Sequence, residues 1–81
     1  MDKGIVIVKI DGHDEEYELE IPFKVTVKEI CAALSVALSL EKKNIKISGY
    51  YMRTENPTCF LKGNDVLSNY NISFGSKVIL I

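Results

Sequence analysis

The sequence predicts an α+β domain in which a β-hairpin, one long helix and further strands follow one another. A β-type run and an alternating apolar–polar run flank Asp11-Gly12, a helix-start signature opens at Thr26, and the apolar run Val78-Ile79-Leu80-Ile81 is too β-rich to dangle. With 81 residues the chain has the length of one domain. A chain of that size buries roughly 60–65% of the surface its unfolded form exposes, so its core is modest. An apolar fraction of 47% beside 26% charged residues is ordinary for a soluble globular protein and speaks against disorder.

Each element has its own signal. Gly4 to Ile10 reads as a strand with Val6, Val8 and Ile10 on one face and Ile5, Ile7 and Lys9 on the other. Asp11-Gly12 is a turn pair, because glycine takes positive φ without a steric penalty. Glu16 to Ile21 alternates again, Tyr17, Leu19 and Ile21 against Glu16, Glu18 and Glu20, as a half-buried antiparallel strand does. Pro22 ends it, since proline cannot donate to a ladder. Thr26-Val27-Lys28-Glu29 fits a capping box, with Val25 and Ile30 placed as its hydrophobic staple. Helical spacing follows at Val27, Ile30, Leu34, Ala37 and Leu38, with Cys31 beside them, and fades around Leu40. Ile45 to Met52 reads as a third strand, Arg53 to Pro57 as a turn and Thr58 to Leu61 as a short fourth strand. After Gly63-Asn64-Asp65 a helical turn carrying Leu67, Tyr70 and Ile72 leads through Gly75 into the last strand.

Charge and cysteine usage exclude several classes. A net charge of −1 argues against nucleic-acid binding, which calls for a basic stripe. The acidic cluster of Asp11, Asp14, Glu15, Glu16, Glu18 and Glu20 and the basic trio Lys42, Lys43 and Lys46 read as solvated surface. With Met1-Asp2-Lys3 running directly into a β-type stretch, no secretory leader is expected, and no apolar stretch approaches the ~20 residues of a membrane span. Cys31 and Cys59 lack metal-site or disulfide-framework spacing, so reduced thiols in the cytoplasm are the expectation.

The residues of enzymology are equally sparse. His13, the single histidine, falls in the hairpin turn, and Cys31 has no partner base. Asp14-Glu15-Glu16 alternates across a strand and does not converge as a chelating loop does. There is no phosphate-binding loop or nucleophile elbow. Tyr50, Tyr51 and Phe60 read as core or surface aromatics, because a base-stacking platform comes with interleaved arginines. No catalytic, cofactor-binding or metal-binding residue is assigned.

The order β-β-α-β-β-(short helical turn)-β resembles the ubiquitin-like β-grasp, a mixed sheet packed on one helix. Leu67-Ser68-Asn69-Tyr70-Asn71-Ile72 resembles the Leu-Ser-Asp-Tyr-Asn-Ile segment before ubiquitin's last strand. The resemblance implies that Leu67 and Ile72 anchor the helical turn, that Tyr70 hydrogen-bonds backbone in the preceding loop, and that Gly75 is left-handed. Within that superfamily the chain is most similar to the YukD/EsaB-type proteins that accompany bacterial type VII secretion systems. The matching features are Tyr17-x-Leu19-x-Ile21-Pro22, Val27-Lys28-Glu29-Ile30 and Asn64-Asp65-x-Leu67-x-x-Tyr70-x-Ile72. Phe74-Gly75-Ser76 departs from the Asp-Gly-Asp expected there.

This resemblance implies a non-catalytic accessory or regulatory component of the secretion system. It would be cytoplasmic or peripheral to the inner face of the membrane, docking on cytoplasmic parts of secretion-machinery membrane proteins without inserting directly. Conjugation needs a flexible tail ending in Gly-Gly, and the last residues here are strand-like, so none is expected. A sulfur carrier or modifier whose Gly-Gly tail is lost or removed, and a free-standing β-grasp adaptor, are the alternatives. In the β-grasp the first and last strands lie side by side and parallel. With Val6, Val8, Val78 and Leu80 facing the helix, Ile5, Ile7, Ile79 and Ile81 gather on the open face as the expected patch for a protein partner or for a homodimer.

Overall fold

The computed structural model of the chain describes residues 3–81. Strands β1 (Lys3–Ile10) and β2 (Glu16–Pro22) pair antiparallel from Lys3↔Pro22 to Lys9↔Glu16, the hairpin that the turn pair Asp11-Gly12 predicts. Gly12 takes φ +84° in that turn, and the His13 N–H donates to the Ile10 carbonyl at 2.9 Å. Val6, Val8, Ile10 and Ile21 are buried in the core.

Helix α1 (Val27–Ala37) opens as predicted. The Glu29 N–H donates to Thr26 Oγ1 at 3.4 Å, and Glu29 Oε1 accepts the Thr26 N–H at 3.3 Å and its hydroxyl at 2.8 Å. Two more N–H groups of the first turn, which no helix satisfies internally, donate to the loop ahead of the last strand. Val27 reaches the Asp65 carbonyl at 2.9 Å and Lys28 the Gly63 carbonyl at 3.1 Å. The helix start is thereby tied to a segment far away in sequence. Val27, Ile30, Cys31 and Leu34 are buried, whereas Ala37, expected on the same stripe, is exposed. The helix also stops before Leu40. Ser39 takes φ +54°, and the reversal turns Leu40 into the core with its N–H on the Ser35 carbonyl at 3.0 Å.

Strand β3 spans Tyr51–Glu55, later than the Ile45–Met52 run predicted. Ile45 and Ile47 do pack against the core, but the segment before Gly49 joins no ladder. Its tie to the sheet is the Ser48 N–H on the Ile81 carbonyl at 2.8 Å. Gly49 at φ +71° and the Ser48 hydroxyl, which accepts the Tyr50 and Tyr51 N–H groups, then turn the chain into β3. Arg53 to Glu55, predicted as a turn, is therefore strand. β4 (Cys59–Lys62) returns antiparallel, and β5 (Lys77–Leu80) inserts between β1 and β3.

The sheet order is β2-β1-β5-β3-β4, with β5 parallel to β1 and antiparallel to β3. This is the small α+β architecture of the ubiquitin-like β-grasp, a mixed five-stranded sheet with one helix across one face. Before β5, the 3₁₀ turn Leu67–Tyr70 buries Leu67, and Ile72 is buried two residues beyond it. Gly75 is left-handed at φ +86°, and buried Ser76 donates its hydroxyl to the Asn56 carbonyl at 2.7 Å.

Two substitutions check this packing by urea denaturation. Ile30→Ala, at a site 2% exposed, is expected to cost about 2–5 kcal/mol. Thr26→Ala, which removes the capping hydroxyl, is expected to cost about 1 kcal/mol.

Candidate docking surface

The sheet face away from α1 is where the sequence placed a patch, and its layout follows from the strand registers. Glu20 lies beside Ile5; the next row runs Glu18, Ile7, Lys77, Glu55. Above it come Glu16, Lys9, Ile79, Arg53 and Phe60, and at the far end Tyr51 beside Lys62. Each of these side chains points away from the helix, because its neighbours along the strand point towards it.

The four isoleucines do not form one exposed patch. Ile5 is 40% exposed and Ile7 and Ile81 are half-buried, but Ile79 is only 3% exposed. Ile79 stands outside the main core cluster, so the helix does not cover it. Its ladder neighbours are Lys9 on β1 and Arg53 on β3, and long basic side chains lay their methylene stems over apolar surface while keeping the charge in water. A β-branched residue in a central strand with such neighbours is shielded by them.

The exposed apolar surface lies instead towards the β3–β4 edge. The Tyr51 and Phe60 rings stack with centroids 5.6 Å apart, and Tyr50 meets Tyr51 edge-on at 5.0 Å. Phe60 is 57% exposed. Sequence reasoning named these residues without bringing them together. Tyr50-Tyr51 straddles the β3 start that was placed wrongly, and Phe60 reaches Tyr51 only through the β3–β4 register. The Tyr50 ring also lies over Gly63, where a Cβ would run into it.

Charge frames this surface. Lys77 Nζ lies 2.9 Å from Glu16 and 4.0 Å from Glu55, and Arg53 lies 3.6 Å from Asp11. The hydrogen bond from Lys77 lowers the Glu16 carboxyl below its ordinary value, and the same bond raises Lys77 above its own. Near the helix start, Tyr70 donates to Asp65 Oδ1 at 3.0 Å rather than to loop backbone as expected. Asp65 also accepts the Lys62 N–H at 2.8 Å, so its carboxylate stands between the tyrosine and that backbone. The bond to Asp65 holds the Tyr70 phenol above its usual value.

Elsewhere, burial pushes the Cys31 thiol up, in keeping with a core residue. His13 is exposed in the hairpin turn. Lys43 of the basic trio lies over the Tyr17 ring, 5.2 Å from its centroid. A cleft of about 510 Å³ is lined by Gly4, Phe23, Ile72 and Phe74. Among the described residues no three His, Cys, Asp or Glu side chains gather to hold a metal, and no helix is long and apolar enough to cross a membrane.

Gly63→Ala is expected to displace the Tyr50 ring, seen as a changed Tyr50–Tyr51 ring contact by nuclear Overhauser measurement, with the sheet intact. The Glu16–Lys77 pair also sets a pH dependence. Glu16 is lowered on folding, so its contribution is present above the ordinary carboxylate pKa and lost as pH falls through the lowered value. Lys77 is raised, so its contribution is complete below the ordinary lysine value and lost as pH rises through the raised one. Lys77→Met is therefore expected to flatten the acid-side fall in stability, measured by urea titration from neutral to acidic pH.

No protein-family model matches the sequence, and no curated protein matches it. Solved structures do share the fold. The chain is similar to the ubiquitin-like domain of an Arabidopsis thaliana protein, at TM-score 0.69 and 17% identity over 100% of this chain and 78% of that one. It is similar also to the C-terminal ubiquitin-like domain of mouse tubulin-specific chaperone e, at TM-score 0.69 and 15% identity over 98% and 84%. Ubiquitin of Caldiarchaeum subterraneum superposes at TM-score 0.65 and 18% identity over 98% and 91%. At these identities the likeness is one of fold: the chain is ubiquitin-like in architecture.

Proposed function

We propose that the chain is a non-catalytic interaction module that docks a protein partner on the open face of its sheet. The observation that carries this reading is the exposed, stacked pair of Tyr51 and Phe60 on that face, with the exposed Tyr50 ring edge-on to Tyr51 beside it. Aromatic rings clustered in this way are the usual anchors of a protein interface, and such a surface standing open in a small globule signals an absent partner. The ubiquitin-like architecture supports the same reading.

The partner class comes from the sequence. The likeness of Tyr17-x-Leu19-x-Ile21-Pro22, Val27 to Ile30 and the Asn64–Ile72 block to the YukD/EsaB-type proteins supports an accessory role in a bacterial type VII secretion system. The module would act in the cytoplasm, on the cytoplasmic parts of the machine's membrane proteins. Lys77–Leu80 is paired on both sides and the Ile81 carbonyl accepts the Ser48 N–H, so this segment is held in the sheet beneath the proposed docking face.

The test is binding of purified protein to the isolated cytoplasmic domains of the secretion machine's membrane components. Wild type is expected to bind one of them, and Tyr51→Ala with Phe60→Ala to weaken that binding on the order of 30-fold or more. Unchanged affinity in the double variant would remove the open face as the site. Failure of every such domain to bind would remove the secretion assignment.

A further inference from the structure

The open face has two corners that complement each other. At one end of the β2–β1 edge stand Ile5, 40% exposed, and Glu20, with Glu18 in the next row. Diagonally opposite, on the β3–β4 edge, stand Phe60, Tyr51 and Lys62. Ile5 and Phe60 are the most exposed apolar side chains of the two corners. The carboxylates of Glu18 and Glu20 and the ammonium of Lys62 have no ion-pair partner among the described residues. The remaining charges between the corners are largely spoken for, in the Glu16–Lys77–Glu55 and Asp11–Arg53 contacts.

We infer that this face takes a second copy of the same chain. The inference rests on reading the face as a docking surface and names one occupant for it. A two-fold axis lying in the face, along the other diagonal, lays each corner of one protomer on the opposite corner of its partner. By the row and strand spacings of a sheet, Ile5 then lies over Phe60, Glu20 over Lys62, and Glu18 over the Tyr51 hydroxyl. The operation is isologous, so each contact occurs twice. The strands of the two sheets cross near a right angle, one of the two ways in which sheets pack face to face. With a molecule of 32 × 22 × 20 Å the shared face is smaller than a standard stable interface, so the dimer is weak and reversible. It covers the aromatic strip while no other partner holds it.

Sedimentation equilibrium up to about 1 mM protein, at low and high salt, reads the association directly. Wild type is expected to dimerise reversibly and less tightly at high salt. Glu18→Lys with Glu20→Lys places like charges over Lys62 of the partner subunit, and Lys62→Glu places like charges over its glutamates. Each variant alone is expected to lose roughly tenfold or more in association. An equimolar mixture of the two is expected to form a heterodimer, because each reversed corner then meets an opposite charge. Circular dichroism confirms that both variants are folded. A wild type monomeric at the highest concentration, variants that associate as wild type does, or a mixture that stays monomeric each overturns the inference. If wild type is monomeric while Tyr51→Ala with Phe60→Ala still loses its secretion partner, the docking reading stands without the dimer.

Discussion

The insertion of β5 between β1 and β3 is the constraint on which the rest of the structure depends. β1 and β5 are parallel, so no hairpin turn joins them, and nearly the whole chain must be in place before their registers close. Val8 beside Val78 and Ile10 beside Leu80 put the apolar residues of both strands under the helix. On its other side β5 pairs Met52 with Leu80 and Thr54 with Val78, which brings in the β3–β4 hairpin. Without β5 the chain is two hairpins and a helix that share no ladder. A two-stranded hairpin is marginal alone in water, so the central strand turns two weak units into one sheet.

The same insertion decides what the open face offers. Because side chains alternate along a strand, fixing Val78 and Leu80 inward leaves Lys77, Ile79 and Ile81 outward. Ile79 then stands between two long basic side chains and is shielded, while Lys77 bridges Glu16 and Glu55 from either side. The centre of the face thus carries paired charges around a buried isoleucine. Apolar surface is left at its margins, in Ile5 on one side and in the stacked Tyr51 and Phe60 on the other.

Much of this was legible from residue order. The hairpin alternation placed Val6, Val8 and Ile21 in the core, and the capping box at Thr26 formed as written, because both depend on residues within a few positions of one another. Leu67 and Ile72 anchor the 3₁₀ turn as the likeness to ubiquitin implied. The β3 start was not legible. Ile45 and Ile47 alternate with Lys46 and Ser48 as a strand does, and both isoleucines reach the core, yet the ladder begins after Gly49. Periodicity reports which side chains turn inward and is silent on whether a neighbouring backbone is there to pair with. Tyr70 found Asp65 in place of backbone for a related reason: a nearby carboxylate is a stronger acceptor than a carbonyl, and the loop puts it within reach.

By itself, then, the sequence determined the elements, their inward faces and the ubiquitin-like order, because hydrophobic period, capping and turn chemistry act over a few residues. It also placed Ile5, Ile7, Ile79 and Ile81 on the face away from the helix. Only the tertiary structure decided which of them meets solvent. Exposure in a sheet is set by lateral neighbours, and those neighbours come from strands tens of residues apart. Ile79, flanked in its row by Lys9 and Arg53, is closed off from solvent, while Ile5 is not. The β3–β4 register sets Phe60 against Tyr51, and so turns aromatics that read as unremarkable in the chain into one exposed, stacked surface.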